Sequence, residues 1–411
     1  METAKNGTPK NVKALESLRV VDLSRVLAGP YCAQLLADMG ACVIKVESPG
    51  GDENRGWPPT FHGISSNFAS VNRGKLSLTL NLKSSEATSV VRRLAEWGDV
   101  LLHNFLPDRA EQLGISYENL SAINPRLIFC SISGYGDKGP LRDRPGYDST
   151  LQAFTGVMSV TGERNGPPVR TGVSFLDMAT GLSAYGGIMT ALIQRQKTGR
   201  GTWVRGSLLE TAVACMGFHA VGWLQTGKLP GRNASGSANI VPYQSFDCSD
   251  GRLVLGAPNE GMWQKLCQAI GLPELASDKR FLTNRDRVTN REILLPILEK
   301  RLLTQTMSHW SDVFFEAGVP VATIQSLDQV MTHPQTLAND MVVYASEEDG
   351  TKVPYVGMPF KVYGSEGAST RAAPSQNSNC EEVLRDHLRF TDAEIEKLCA
   401  ASAVFRPAAS S

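Results

Sequence analysis

The chain has 411 residues, 42% of them hydrophobic and 20% charged, which is two to three times the usual domain length and close to the average of globular proteins. A disordered, collagenous or disulfide-scaffold chain is thereby excluded. Forty-one Lys and Arg balance forty-one Asp and Glu, so no net field draws in nucleic acid or an anionic membrane. The first seventeen residues, METAKNGTPKNVKALES, are polar and lack an apolar signal core, so the protein is expected to be intracellular, with the mitochondrial matrix and the cytoplasm both open. Leu18–Leu23 (LRVVDL) is β-rich, and after a short turn Pro30 opens a segment whose Leu35, Leu36 and Met39 recur at helical spacing before Gly40. Cys42–Glu47 is a second apolar strand, and it completes a β-α-β unit that implies a parallel sheet.

Leu76–Leu82, Asp99–Phe105 and Arg126–Ser133 read as further strands, with an amphipathic helix over Ser84–Trp97. This alternation predicts an α/β fold with an open, doubly wound, Rossmann-like parallel sheet, in which ligands sit outside the carboxyl ends of the strands. A long helix is expected over Leu176–Gln196, then a strand over Trp203–Leu209. The helix after it carries the longest nearly apolar stretch, 211–224, which is broken by His219 and is too short to span a bilayer, so no membrane partner is expected.

Residues 228–242 turn small, polar and glycine-bearing, which predicts a boundary near 230. The expected organisation is a large α/β domain over 1–229, a small α+β domain over 230–330, and a return over 331–411 that completes the large domain. Asp250-Gly251 and Asp349-Gly350 mark two hairpins. Ser365–Asn379 is a connector, and Thr391 with Glu394 forms a capping box for a terminal helix. The eight cysteines contain no CxxC pair and no His at ligand spacing, so reduced structural thiols and no metal site are expected.

Three places could carry chemistry. The turn Arg25-Val-Leu-Ala-Gly-Pro30 delivers backbone to a helix N-terminus, where an anion can rest, and Glu47 stands where a ribose-binding acid sits in dinucleotide units. Asn72, Arg73 and Lys75 precede the third strand and His103-Asn104-Phe105 ends the fourth, so these basic groups either hold phosphates or protect a sheet edge. Asp177 stands in the first turn of a long apolar helix. The helix dipole favours its charge, which predicts an ionised carboxylate in an apolar pocket that serves as a nucleophile or caps the helix.

The runs VLAGPYCAQLLADMGACVIKVESPGGDENRGW, NPRLIFCSISGYGDKGP, GYDSTLQAFTGVMSVTG, PVRTGVSFLDMATGL and QKTGRG, in this order, resemble the class III CoA-transferases of the formyl-CoA and carnitine group over Leu18–Tyr363. IVPYQSF followed by DGRLVLGAPNE is most similar to the succinyl-CoA:glutarate, dicarboxylate branch. The resemblance implies an interlocked homodimer with an acyl-CoA and a free carboxylic acid as partners. Coenzyme A thioester then enters as substrate, and no tightly bound cofactor is implied.

The resemblance further implies that Asp177 attacks the thioester through a mixed anhydride and an aspartyl-CoA thioester. The donor would be succinyl-CoA and the acceptor glutarate, itaconate or hydroxymethylglutarate. Nucleotide contacts are implied at Val26, Leu27, Ala28, Asn72, Arg73, Lys75, Asn104 and Phe105. Gly236, in Ser235-Gly236-Ser237, matches the family's flap, and Tyr147 orients substrate. A dicarboxylate also asks for a cation on its distal carboxylate, which Arg170 or Arg25 can supply. Racemases of the same fold carry histidine where Tyr147 stands, so transferase is favoured over a 2-methylacyl-CoA racemase or a non-catalytic CoA-binding protein.

Overall fold

The computed structural model describes residues 13–365 and 367–406. They divide into two compact units. The first holds the chain up to Thr155, Val173–Cys215 and Pro334 onward, and the second holds Gly156–Gly172 and Met216–His333. The second unit therefore begins before residue 230 and takes in a segment, Gly156–Gly172, that composition does not mark.

The first unit is built on six parallel strands: β1 (Arg19–Asp22), β2 (Cys42–Glu47), β3 (Leu76–Thr79), β4 (Val100–His103), β5 (Ile128–Ser133) and β6 (Trp203–Ser207). Their order is β3-β2-β1-β4-β5-β6, with every pairing parallel. The chain winds outward one way from β1 through β2 to β3, then returns beside β1 at β4 and winds the other way. The loops after β1 and β4 consequently part and leave a crevice at the carboxyl edge of the sheet.

Alternation along each strand sends successive side chains to opposite faces. Val21, Ile44 and Leu78 pack on one face with Leu94 and Leu384, while Val20, Val43 and Leu102 pack on the other with Leu36, Ala184 and Ile188. The flanking helices that position the crevice are α1 (Ala28–Asp38), α2 (Ala87–Trp97), α3 (Asp148–Phe154) and α4 (Phe175–Thr198). Gly199 ends α4 at φ 72°, a left-handed cap that glycine adopts without a Cβ penalty. The free edge of β3 is covered by side chains: the β3 amides of Ser77 and Thr79 donate to the Asn379 and Asn377 carboxamide oxygens at 3.0 and 2.8 Å. The end of the connector, Ser375–Asn379, thus closes this edge of the sheet.

In the second unit, β7 (Tyr243–Cys248), β8 (Gly251–Gly256) and β9 (Val321–Thr323) form an antiparallel sheet in the order β9-β8-β7. Helices over Glu260–Ala269, Arg291–Leu302 and Met307–Ala317 close a separate core around Trp263, Phe281, Leu298 and Trp310. The cysteines form no disulfide. Among the described residues no helix is long and apolar enough to cross a membrane, and no His, Cys, Asp and Glu side chains cluster as a metal site.

Candidate active site

The loop after β1 is held in an unusual conformation. Val26 lies at φ 70°, a left-handed region that costs a β-branched residue about 1–3 kcal/mol unless its surroundings impose it. Here they do. The Val26 N–H donates to the Asp52 carboxylate at 3.1 Å, and its carbonyl accepts from Asn54 Nδ2 at 2.7 Å. Asp52 is itself fixed by a buried 2.9 Å ion pair with Lys45. One residue earlier, Asn104 grips the backbone of Arg25 twice: its Oδ1 accepts the Arg25 N–H at 2.9 Å and its Nδ2 donates to the Arg25 carbonyl at 2.8 Å. The ends of β1 and β4 are thereby tied together.

At the end of β4, burial pushes the His103 imidazole down to about 4, so it is neutral, and its Nδ1 accepts the Phe105 N–H at 3.1 Å. After β5 the chain crosses itself at two glycines, since a Cβ on Gly134 would stand 2.8 Å from the Gly146 Cα. Gly146 is followed by Tyr147, half exposed, whose hydroxyl donates to Glu53 at 3.4 Å. Desolvation and the Glu53 charge raise the Tyr147 hydroxyl above its usual range, which keeps it a donor at neutral pH.

Asp148 is buried, and its Oδ2 accepts the N–H of Leu176 at 2.8 Å and of Asp177 at 3.4 Å. It caps α4 from outside, where Ser174 makes no side-chain cap. Asp177 is 9% exposed, and burial, followed by the neighbouring Asp148 charge, raises its carboxyl to about 7. This corrects the expectation of a fully ionised group: the donors at the helix terminus are spent on Asp148, and desolvation prevails over the dipole. The approach of α4 to α1 is set by Gly181, where a Cβ would stand 2.6 Å from the Ala28 carbonyl oxygen.

These elements enclose a cavity of about 240 Å³ lined by Arg25, Val26, Leu27 and Ala28 from the first loop, Asn104 and Phe105 from the second, and Tyr147 and Asp177. It lies at the strand-order reversal. A second cavity of about 580 Å³ shares Arg25, Phe105 and Arg109 with the first and runs on to Ser48 and Lys83. Lys83 was not singled out from the sequence, although a lysine just past the end of a parallel strand is the signal that could have found it.

Other expected residues are not among those lining the first cavity. Asn72, Arg73 and Lys75 are fully buried, and this corrects their assignment as nucleotide contacts. Arg73 makes a two-pronged pair with Asp38 at 3.0 and 2.7 Å. Lys75 donates to Asp22 at 2.7 Å, the Asn72 carboxamide at 2.8 Å and the Pro30 carbonyl at 2.9 Å. Their donors serve the fold. Glu47 is likewise taken up by Arg55, which donates to both carboxylate oxygens at 2.7 Å. Arg170 and Gly236 belong to the second unit. Arg170 is exposed, and the loop of Gly236 is pinned to β7 by Ser235 and Ser245, whose hydroxyls are 2.7 Å apart.

The model of CoA-transferase family III matches residues 15–379. The chain is 39% identical to human succinyl-CoA:glutarate CoA-transferase over 96% of its own length and 90% of that protein. It is 41% identical to an acyl-CoA transferase of Fusarium pseudograminearum over 91% of its length and 84% of that protein. A crystal structure of a CAIB/BAIF family protein from Brucella suis superposes with a TM-score of 0.80 at 36% identity, covering 92% of this chain and all of that one. With a match that spans both units, the chain belongs to CoA-transferase family III and is a CoA-transferase.

Proposed function

We propose that the enzyme transfers CoA from succinyl-CoA to glutarate and related dicarboxylic acids such as itaconate and hydroxymethylglutarate, with Asp177 as nucleophile. The observation that carries this reading is the buried Asp177 carboxyl in the crevice at the strand-order reversal. The names of relatives that align over nearly the whole chain support succinyl-CoA and glutarate as the pair.

A deprotonated Asp177 oxygen attacks the thioester carbonyl carbon, the C–S bond breaks, and CoA thiolate leaves a succinyl-aspartyl anhydride. The thiolate then attacks the aspartyl carbonyl, which releases succinate and leaves an aspartyl-CoA thioester. Glutarate attacks that thioester to form a glutaryl-aspartyl anhydride and thiolate. Attack of the thiolate on the glutaryl carbonyl yields glutaryl-CoA and restores the Asp177 carboxylate. Each step exchanges one acyl bond for another, so the rate comes from positioning and from stabilising each oxyanion.

Leu27 and Ala28, at the opening of α1, line the crevice, and the N–H groups of a helix start suit a developing oxyanion. The protonated Tyr147 hydroxyl suits the orientation of a carbonyl or carboxylate. In this reading the pantetheine arm runs along Val26, Leu27, Ala28, Asn104 and Phe105, which line the first cavity, and the nucleotide phosphates lie near Lys83 and Arg109, which line the adjoining one. A homodimer is proposed as well: Phe218, Leu224 and Leu229 are 61–83% exposed, an apolar surface typical of subunit contacts.

The test is CoA transfer from succinyl-CoA to a panel of free acids, read by mass, beside Asp177→Ala. Dicarboxyl-CoA products that vanish in the variant, and a covalent CoA adduct on the wild-type protein alone, are expected. Deuterium uptake into an acyl-CoA without transfer to any acid would instead identify a racemase.

A further inference from the structure

Two cations border the cavity that contains Asp177: Arg25 and Arg109. They differ in how they are held. Arg109 donates to Gln112 at 3.3 Å and projects from a short helix, Pro107–Gln112. Arg25 spends only its backbone, gripped on both sides by Asn104, while its guanidinium makes no hydrogen bond or ion pair with any of the described residues. It lines the same cavity as Tyr147, the group suited to orient substrate, and its positive charge opposes the rise of the Tyr147 hydroxyl.

The Arg25 side chain is exposed at the rim of this cavity, and its guanidinium, on a doubly clamped backbone next to Val26, is a donor fork for which the described residues supply no acceptor. Such a fork matches a carboxylate in a two-pronged geometry. With C–C bonds of about 1.5 Å, the two carboxyl carbons of an extended five-carbon diacid lie about 5 Å apart, a span suited to one crevice. The other candidate, Arg170, is not among the residues that line this cavity. We propose that Arg25 holds the distal carboxylate of the acid, in the acyl-CoA donor and in the free acceptor alike, and so selects dicarboxylic over monocarboxylic substrates. The inference rests on the Asp177 reaction proposed above and assigns its specificity to one side chain.

The test compares glutarate with glutaramate, which has the same length and an uncharged amide at the far end, in the wild type, Arg25→Gln and Arg25→Lys. Loss of charge-assisted bonds of this kind corresponds to about 10- to 150-fold in kcat/KM. Arg25→Gln should lose that factor on glutarate and leave glutaramate within about threefold, so that the preference collapses. Arg25→Lys should fall between, since it keeps the charge without the fork. Equilibrium binding of CoA alone should not change.

Equal losses on glutarate and glutaramate, or CoA binding weakened by the same factor, would overturn the assignment and give Arg25 to the CoA phosphates. Binding of glutarate to the CoA-loaded protein separates this inference from the reaction itself. If the wild type transfers CoA to no acid, the reaction has failed, and Arg25 is still decided by whether Arg25→Gln abolishes glutarate binding. Thermal unfolding of the variants should match the wild type, because the Asn104 side chain grips only backbone atoms of Arg25.

Discussion

The Asp148 carboxylate accepts the backbone N–H of Asp177 at 3.4 Å and of Leu176 at 2.8 Å, so the helix that carries one carboxylate is capped by another. The second oxygen of Asp148 is held by Gln152 Nε2 at 2.5 Å. Two acids therefore converge on one helix terminus, and only one of them receives its donors. Asp148 supplies the capping, and Asp177 is left buried beside a like charge with its carboxyl raised to about 7.

Asp148→Asn separates the two effects. The carboxamide oxygen can still accept the two N–H groups, but the negative charge is gone, so the Asp177 carboxyl should titrate at lower pH. The acidic limb of kcat/KM against pH is expected to move toward acid while the fold is kept. Asp148→Ala, which removes the acceptor too, should cost about 0.5–2 kcal/mol in urea unfolding. An acidic limb that stays in place in Asp148→Asn would show that desolvation alone sets the Asp177 titration.

Asp177 should also lower stability. Its carboxyl is raised from 3.8 to about 7 in the folded chain, so between these values the folded state holds a proton that the unfolded state has lost. Stability from this group is complete below about pH 4 and is lost as pH rises toward 7. At about 1.36 kcal/mol per pH unit the loss is at most on the order of 4 kcal/mol. Asp177→Asn is expected to match the wild type near pH 4 and to exceed it in urea unfolding at pH 8, while transferring no CoA. Wild-type turnover should fall as pH drops below about 7. A stability difference that does not grow with pH would refute the account.

Much of the first unit is legible because its signals are local. The alternating apolar runs of β1, β2 and β5, and Gly199 behind the long helix, depend on neighbours in sequence. What the sequence hides is long-range. Nothing about Val26 announces a left-handed backbone, since the groups that impose it lie 26 and 28 residues further on. Asn72, Arg73 and Lys75 look like a basic surface patch because charge is visible in sequence and burial is not. The acids that neutralise Arg73 and Lys75 stand 35 and 53 residues away. Asp177 was found by its place in a helix, but its titration depends on Asp148, 29 residues earlier.

Lys75 offers a direct test of that correction. Lys75→Met would leave Asp22 fully buried without its 2.7 Å partner. Burial alone would raise the Asp22 carboxyl, and it is Lys75 and Lys45 that hold it low. Breaking a buried pair on one side costs about 3–5 kcal/mol, and this loss is expected in urea unfolding. The double variant Asp22→Leu with Lys75→Met should recover part of it, because no unpaired charge remains. CoA affinity of the folded fraction should match the wild type, whereas a nucleotide contact at Lys75 would weaken CoA binding at undiminished stability.

Gly181 governs the approach of α4 to α1. A Cβ there would stand 2.6 Å from the Ala28 carbonyl oxygen and 3.0 Å from the Tyr31 ring. The first of these contacts is with backbone and cannot be relieved by a side-chain rotation. Gly181→Ala gains helix propensity of about 1 kcal/mol, but overpacking costs about 1–3 kcal/mol, so a small net destabilisation is expected. The larger effect should fall on catalysis. Gly181 lies one turn beyond Asp177, and Ala28, which opens α1, lines the same cavity as Asp177, so pushing the helices apart moves the nucleophile away from the start of that helix. A displacement of about 1 Å can cost about 100-fold in rate. Gly181→Ala should therefore lose kcat by more than tenfold with little change in CoA affinity, measured by steady-state transfer beside equilibrium CoA binding. Wild-type kcat in a destabilised variant would show that the helix spacing serves the fold alone.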